Sequence, residues 1–224
     1  MIPQSLANDD FAFGTMQQIE IGHAVARAHR VTYVGELGWE LYVSADMSAH
    51  VFETIAERRK EHPIAMCGLH ALDSCRIEKG FRHFGHDISS EDHVLEAGLG
   101  FAVKENRPPS KFGGMIGADA VAAKRNEGLS QRLMQFRLTD PDPLLYHNEA
   151  ILRDGAVIGY LTSGNYGHYL GGAIGLGYVK CNSIGETAEA QLNAHYQIDV
   201  AGKLVDAEVS LRPLYDPNAL QVKL

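Results

Sequence analysis

The sequence predicts an α+β protein in which a ferredoxin-like mixed α/β half-domain is followed by a C-terminal antiparallel β-barrel domain. Apolar residues recur at helical spacing in two segments before residue 80, whereas short β-rich runs separated by turn residues dominate after residue 131. Between the two patterns, Pro108-Pro109-Ser110 marks a boundary. We therefore divide the chain into an α+β domain (1–105), a connector with a short helix (106–130) and a barrel domain (131–224).

The first domain opens with an irregular lead-in and then turns to strands. Residues Ile2–Gly22 carry turn signals, and Ile19–His29 alternates as a strand does. Two further β-rich runs, Arg30–Val34 and Trp39–Val43, flank Gly35-Glu36-Leu37-Gly38. Their β-branched and aromatic residues favour strands, and the glycines permit a tight bend or a close approach of backbone to a ligand.

Helices are predicted for Met47–Lys60 and Gly68–Lys79 in the first domain. Gly80 ends the second, because glycine readily adopts the left-handed conformation found just after a helix. The connector carries a short helix over Ala118–Asn126. The first helix has one apolar stripe, formed by Val51, Phe52, Ile55 and Ala56.

The barrel domain is predicted from six short strands with turn residues between them. Arg153-Asp154-Gly155-Ala156 is a two-residue hairpin signal, and Ala201-Gly202 is a weaker one. The segment Gly164–Gly172 is a glycine-rich loop, but it lacks the Gly-Lys-Ser/Thr ending of a phosphate-binding loop. The predicted strands are Leu133–Leu138, Glu149–Leu152, Val157–Thr162, Ala173–Tyr178, His195–Val200 and Ala207–Leu211.

Composition excludes several classes of partner. A net charge of −8 over 224 residues favours neither nucleic acid nor an anionic membrane, and no apolar run approaches the length of a membrane span. The chain starts without the features of a signal peptide. Cys67, Cys75 and Cys181 form no Cys-x-x-Cys pair, and the eleven histidines lack metal-ligand spacing. We expect a reduced, cytoplasmic setting and no metal site.

Glu40 is the residue of the first domain that most needs an explanation. It stands between Trp39 and Leu41 in an apolar run, and a carboxylate buried there would be costly without hydrogen-bond donors. One interpretation is that alternation turns Trp39, Leu41 and Val43 inward, and Glu40 and Tyr42 toward solvent. The other is that Glu40 binds a ligand.

The second interpretation rests on a resemblance. Tyr33, Gly35, Glu36, Gly38, Trp39 and Glu40 spell a Tyr-x-Gly-Glu-x-Gly-aromatic-Glu pattern. This pattern closely resembles the signature of the folate-binding domain shared by the glycine cleavage T-protein, dimethylglycine dehydrogenase and sarcosine dehydrogenase. The resemblance implies that Tyr33 and Glu40 line a folate pocket, with Glu40 accepting from adjacent N–H groups of the pterin. A carboxylate can accept two such hydrogen bonds at once.

Later motifs resemble the same family in the same order. Asp73–Gly80 is similar to its Arg-Leu-Glu-Lys-Gly helix, and Phe81–Ile88 to its Arg-His-Trp-Gly-His-Asp-Ile run. For His83 and His86 we favour a supporting strand and turn over catalysis. In Leu95–Phe101, which is similar to a Leu-Glu-Ala-Gly-Leu-Gly-aromatic loop, the resemblance implies that Phe101 lies near the folate. The alternative is an ordinary core phenylalanine.

The resemblance implies a function in one-carbon transfer. In that family, tetrahydrofolate accepts a one-carbon unit from an aminomethyl or iminium donor and becomes 5,10-methylenetetrahydrofolate. The family's catalytic aspartate belongs to the first part of the domain, and no position of this chain matches it. We therefore assign no catalytic residue, and, because the chain has no flavin-binding glycine motif, we expect no FAD site. Leu72 stands where the T-protein has an arginine, which places the chain on the dehydrogenase side.

Two classes of function stay open. The first is the folate-binding portion of an enzyme, completed by a separate flavin-dependent dehydrogenase chain or by a second copy of this chain. The second is a non-catalytic folate-binding or interaction module, a truncated remnant of such an enzyme. In both, the partner is a folate-type small molecule, and neither nucleic acid nor a membrane is expected.

Overall fold

The computed structural model describes residues 2–104 and 114–223. The chain forms two compact units, Met1–Cys75 with Asn218–Leu224, and Arg76–Pro217. The boundary predicted between residues 105 and 106, with the Pro108-Pro109-Ser110 signal, lies outside the described residues. The expected combination of a mixed α/β region and an antiparallel barrel is confirmed.

The first unit contains a three-stranded antiparallel sheet covered on one face. Its strands are β1 (Met16–Ile21), β2 (Ala24–His29) and β3 (Glu40–Tyr42), in the order β1-β2-β3. Helix α1 (Ser48–Glu57) packs on the covered face. The core of this unit consists of Phe11, Ile19, Ile21, Ala24, Ala26, Ala28 and Val51.

The sheet begins earlier than predicted, and its first hairpin was not expected. The irregular lead-in assigned to Ile2–Gly22 contains β1, and the strand predicted over Ile19–His29 is split by a two-residue turn at Gly22-His23. Gly22 has a φ of 60°, and a Cβ there would lie 2.6 Å from His50 Nε2. Only glycine therefore fits this turn without displacing His50.

The strand predicted over Arg30–Val34 does not form. The Thr32 hydroxyl accepts hydrogen bonds from the N–H groups of Val34 (3.2 Å) and Gly35 (2.9 Å), which bends the chain over residues 33–37. Threonine side chains compete with sheet ladders in this way. Gly35 supplies the positive φ, 82°, and the chain returns to the sheet only at Glu40.

Helix α2 (Leu69–Glu78) ends as predicted. Gly80 has a φ of 63°, and the Phe81 N–H donates to the Arg76 carbonyl over 2.8 Å, as in a Schellman end. The connector helix α3 spans Ala118–Glu127, and a short helix α4 spans Ala188–Leu192.

The second unit contains a closed six-stranded antiparallel barrel in the order β4-β7-β6-β5-β8-β9. Its interior is filled by apolar side chains such as Phe136, Ile151 and Ile198, which are fully buried. The six strands are β4 (Gln131–Leu138), β5 (Ala150–Arg153), β6 (Ala156–Gly167), β7 (Gly172–Lys180), β8 (Tyr196–Val200) and β9 (Lys203–Ser210).

Turn residues set the barrel hairpins, with one exception to the prediction. Asp154 and Gly155 have φ values of 50° and 83°, and Ala201 and Gly202 have 52° and 87°, so both predicted hairpins are confirmed. The stretch predicted as a Gly164–Gly172 loop is instead strand β6 as far as Gly167. A Cβ on Gly164 would lie 2.7 Å from the Leu145–Tyr146 backbone, so this glycine serves a close strand contact.

Candidate functional site

The signature residues lie in one continuous turn of the first unit. Tyr33 is half-buried at the start of the bend over residues 33–37, and Glu40 is the first residue of β3. The bend is ordered by hydrogen bonds to the Thr32 side chain. Tyr33 is thus held by a turn, and Glu40 by a sheet.

The register of β2 and β3 decides where Glu40 points. His29 is paired with Glu40, and Arg27 with Tyr42. Directly opposed residues of an antiparallel pair project to the same face. Because the alternating residue Ala28 is buried, these four side chains occupy the open face of the sheet. The structure thus agrees with the interpretation in which Glu40 and Tyr42 face solvent, but Leu41, expected to point inward, is 37% exposed.

Tyr42 orients the Glu40 carboxylate. The Tyr42 hydroxyl donates to Glu40 Oε2 over 2.8 Å. This hydrogen bond, followed by the negative charge of Glu40, raises the pKa of Tyr42. A carboxylate has about four acceptor positions. Glu40 therefore retains the capacity to accept from a ligand with adjacent N–H groups.

Buried residues hold the Trp39 side chain, immediately before β3, on the covered face of the sheet. The Trp39 ring lies 6.2 Å from the Phe11 ring, and the Arg30 guanidinium lies 5.6 Å from the Trp39 centroid. Arg30 is 1% exposed and donates to the Phe11 carbonyl over 2.5 Å. Because Trp39 is clamped on the covered side, its neighbour Glu40 is directed to the open side.

An open groove runs along the same face. It has a volume of about 600 Å³ and extends from the end of β3 to Ser44, beside the facing part of β2. This volume falls within the range of about 300–1,000 Å³ usual for small-molecule sites. Alternation would have identified Arg27 and Tyr42 as face residues once β2 was recognised as the partner of β3. The groove is lined by Gln18, Val25, Ala26, Arg27, Leu41, Tyr42, Val43 and Ser44.

Phe101, the third predicted binding residue, belongs to the second unit. It lies in a 3-10 turn over Gly100–Ala102 and is 85% exposed, so the alternative of a core phenylalanine is wrong. Its large exposed ring leaves a role in binding as a prediction. The structure brings Tyr33 and Glu40 into one unit, and Phe101 is described within the other.

The second-unit motifs hold buried charges in pairs. The side chains of Arg76 and Asp87 form an ion pair and are only 2% and 0% exposed. Asp87 also accepts from the His83 N–H (2.9 Å) and from the Thr162 hydroxyl (2.5 Å). These partners satisfy the buried carboxylate. The aspartate of the Phe81–Ile88 run therefore joins α2 to the barrel.

Glu78 and Lys79, the two residues after Ile77, are also buried and bonded to residues distant in sequence. Glu78 accepts from the N–H groups of Tyr169 (2.8 Å) and Leu170 (3.0 Å) in the β6–β7 hairpin. Lys79 is paired with Asp216 over 2.7 Å. The helix that resembles a family motif thus has a structural use here. Its partners could not be read from the sequence, because they lie about ninety residues or more away.

Neither a metal centre nor a membrane span is found in the part of the chain that the structure describes. Over residues 2–104 and 114–223, no three side chains of the types His, Cys, Asp and Glu are grouped to hold a metal ion. Within the same residues, no helix has the length and apolar character needed to cross a bilayer. His83 and His86 are exposed, with ring centroids 4.5 Å apart.

Comparison with protein families matches both halves of the chain. Residues 1–107 match the model of the GCVT N-terminal domain, and residues 131–216 match that of the glycine cleavage T-protein C-terminal barrel domain. Among solved structures, the glycine cleavage system aminomethyltransferase T from Bartonella henselae superimposes with a TM-score of 0.71. That likeness covers 88% of this chain and 50% of the other at 22% identity, and it shows the fold.

Several characterised proteins are similar over almost the whole chain. The 4-methylaminobutanoate oxidase (formaldehyde-forming) of Paenarthrobacter nicotinovorans is 36% identical over 99% of this chain, which spans 26% of that protein. Mitochondrial sarcosine dehydrogenase of Homo sapiens is 31% identical over 100% of this chain and 24% of its own length. An aminomethyltransferase of Geobacillus sp. (strain WCH70) is 30% identical over 95% of this chain and 56% of its own. The chain thus spans about a quarter to a half of these relatives.

Proposed function

Because the chain belongs to the glycine cleavage T-protein family, we propose that it is the tetrahydrofolate-binding portion of a one-carbon transfer system of the dimethylglycine/sarcosine dehydrogenase type. The complete system forms 5,10-methylenetetrahydrofolate. The observation that carries the proposal is the Glu40 carboxylate, oriented by Tyr42 on an open sheet face beside a groove of ligand size.

The residues present suit a pterin. Glu40 is exposed and accepts from Tyr42 at one oxygen, so further acceptor positions face solvent. A carboxylate can accept hydrogen bonds from two adjacent N–H groups, such as those at the edge of a pterin. Tyr33, in the same unit as Glu40, supplies a flat ring for packing against the ligand. Tetrahydrofolate, when bound, supplies the nitrogen acceptors of the one-carbon unit.

We assign the supply of the one-carbon unit to a partner protein. The chain spans about a quarter of the oxidase and dehydrogenase relatives. We propose a flavin-dependent dehydrogenase, or a second copy of this chain, as the partner that supplies the one-carbon donor. We propose a cytoplasmic location, in keeping with three cysteines that form no disulfide within the described residues.

The test is calorimetric titration of the purified chain with tetrahydrofolate. Glu40→Gln replaces one acceptor by a donor, so a pterin N–H loses its partner. A hydrogen bond to a charged group is worth about 1.5–3 kcal/mol, so affinity should fall roughly 10- to 150-fold. Because Glu40 is exposed, the melting temperature should not change.

Glu53→Gln is the matched control. Glu53 is an exposed carboxylate on helix α1 and takes no part in the pairing of β2 and β3 that positions Glu40. It should bind tetrahydrofolate like the wild type. Equal tetrahydrofolate affinity in the Glu40 and Glu53 variants would favour the other interpretation, in which Glu40 is a solvated strand residue without a role in binding. No binding by the wild type would refute the proposal.

A further inference from the structure

A short segment late in the sequence docks on the first unit. Residues 218–223 belong to that unit, and the side chain of Val222 within them is buried, at 3% exposure. The Asn8 side-chain amide donates to the Lys223 carbonyl over 2.7 Å. We call residues 218–223 the strap, because a buried side chain and backbone carbonyls hold them to the unit.

Arg30 connects the strap to the interior of the first unit. Its buried guanidinium donates to three neutral oxygen atoms, which belong to the Phe11 carbonyl, the Asn8 side chain and the Val222 carbonyl. The last of these hydrogen bonds measures 3.4 Å. Burying a charge is costly unless hydrogen-bond partners compensate for the lost water. The strap therefore supplies part of what makes the burial of Arg30 possible.

The same guanidinium lies against Trp39. The distance from the Arg30 guanidinium carbon to the Trp39 centroid is 5.6 Å, and the Phe11 ring lies 6.2 Å from the Trp39 ring. Trp39 directly precedes Glu40, so its position on the covered face sets how β3 begins. Packed and hydrogen-bonded contacts thus run without a break from the strap to the signature, as energetic coupling between two places requires.

The backbone of the strap is strained. Ala219 has a φ of 52°, in the left-handed region that alanine rarely adopts. Such strain persists only where the surrounding contacts hold it, and release of the strap relieves it. Docking therefore depends on the buried Val222 side chain and on the hydrogen bonds to the strap carbonyls. Segments held by so few contacts open while the rest of a protein stays folded.

We infer that the strap is a releasable conformational device of the first unit. Docked, it holds Arg30 and Trp39 in place, so that Glu40 begins β3 on the open face. Released, it lets water reach the Arg30 guanidinium and frees the Trp39 ring. Because coupling between two sites is reciprocal, anything that fixes Trp39 also favours the docked strap. This device is independent of folate binding, so its test does not depend on the proposed function.

Trp39 is the only tryptophan of the chain, so tryptophan fluorescence reports on the signature directly. In the full chain, Val222→Ser should raise the ratio of released to docked strap by roughly 10- to 150-fold and shift the Trp39 emission to longer wavelength. Leu220→Ser makes the same kind of change at a strap residue that is 60% exposed, and it should keep the wild-type emission. A synthetic peptide of residues 216–224 should restore the emission of Val222→Ser, and the same peptide carrying V222S should not.

Hydrogen exchange tests the device in the wild type, whether or not Val222→Ser folds. The Lys223 N–H donates to the Leu220 carbonyl over 3.0 Å, and the indole N–H of Trp39 is buried. Both should exchange together, and faster than the amides of the β1–β2 ladder. Exchange of Lys223 at the rate of the ladder amides would show that the strap opens only on unfolding, and it would overturn the inference. Rapid exchange of Lys223 with a Trp39 indole as protected as the ladder would also overturn it, because the strap would then open without affecting Trp39.

Discussion

Glu40 and Arg27, on the sheet of the first unit, face solvent, whereas four charged residues of the α2 motif and the run after it are buried against hydrogen-bond or ion-pair partners. Glu40 and Arg27 are exposed on the open face in the first unit. Four charged residues of the second unit are each at most 2% exposed: Arg76, Glu78, Lys79 and Asp87. Glu40 and all four buried residues lie in segments that resemble family motifs. The comparison teaches that burial and partners distinguish charged residues that stabilise the fold from charged residues that remain available to a ligand.

The largest expected effect is on the buried pair of the second unit. Asp87→Asn keeps the shape of the side chain but leaves the Arg76 guanidinium buried without its counter-charge. Removing one partner of a buried ion pair costs about 3–5 kcal/mol. Urea denaturation followed by far-UV circular dichroism measures the change in the free energy of unfolding.

An exposed ion pair in the same barrel is the control for that experiment. Arg137 and Glu208 are paired over 3.3 Å with side chains 35% and 56% exposed. Glu208→Gln should cost no more than about 1 kcal/mol. If Asp87→Asn is as mild as Glu208→Gln, the buried pair does not hold the second unit together, and the contrast between the units breaks.

Glu96 should make the stability of the second unit depend on pH. Burial alone would raise the pKa of this carboxyl, but hydrogen bonds from Lys124 and Ser130 lower it from 4.5 to about 2. Unfolding restores the ordinary pKa. The stabilisation is therefore complete above about pH 4.5 and is lost as the pH falls toward 2. At neutral pH, a shift of this size corresponds to about 3 kcal/mol.

The measurement is the free energy of unfolding of wild type and Glu96→Gln between pH 7 and pH 2. The difference between them should be largest at neutral pH and should shrink across the acid range. Glu189→Gln, which changes an exposed carboxylate on α4, controls for general acid effects. A difference that stays constant with pH would contradict the assignment of the low pKa to Glu96.

The smallest expected effect concerns Tyr42, in the first unit. Tyr42→Phe removes the hydroxyl that orients Glu40 and leaves the ring in place. One lost hydrogen bond of about 0.5–1 kcal/mol lowers tetrahydrofolate affinity roughly two- to fivefold. The unfolding free energy should not change, since both side chains are exposed.

Tyr160→Phe is the control for Tyr42→Phe, because Tyr160 is an exposed tyrosine of β6, 59% accessible. It should leave calorimetric binding unchanged. A loss of stability in Tyr42→Phe would show that the open face contributes to the fold. That result would weaken the contrast between an exposed sheet face in the first unit and buried, partnered charges in the second.

Local chemistry was enough to predict the barrel hairpins and the orientation of Glu40. Asp154-Gly155 and Ala201-Gly202 take positive φ values that few other residue pairs accept, so their turns are set by their own backbones. The alternation around Glu40 follows from the two-residue period of a strand. Such features need no knowledge of distant contacts.

Contacts formed only in the folded chain determined the features that local chemistry did not predict. Arg30–Val34 has strand-forming residues, yet Arg30 donates to the Phe11 carbonyl and Thr32 hydrogen-bonds the following backbone, so the run bends. The Arg76 guanidinium likewise finds the Ser163 hydroxyl, 87 positions along the chain, at 2.8 Å. Pattern and propensity describe what each segment favours alone, whereas hydrogen-bond partners far apart in sequence meet only in the folded chain. That is why alternation in the sequence offered an outward-facing Glu40 as one of two interpretations but could not show that Arg76 and Asp87 are buried together.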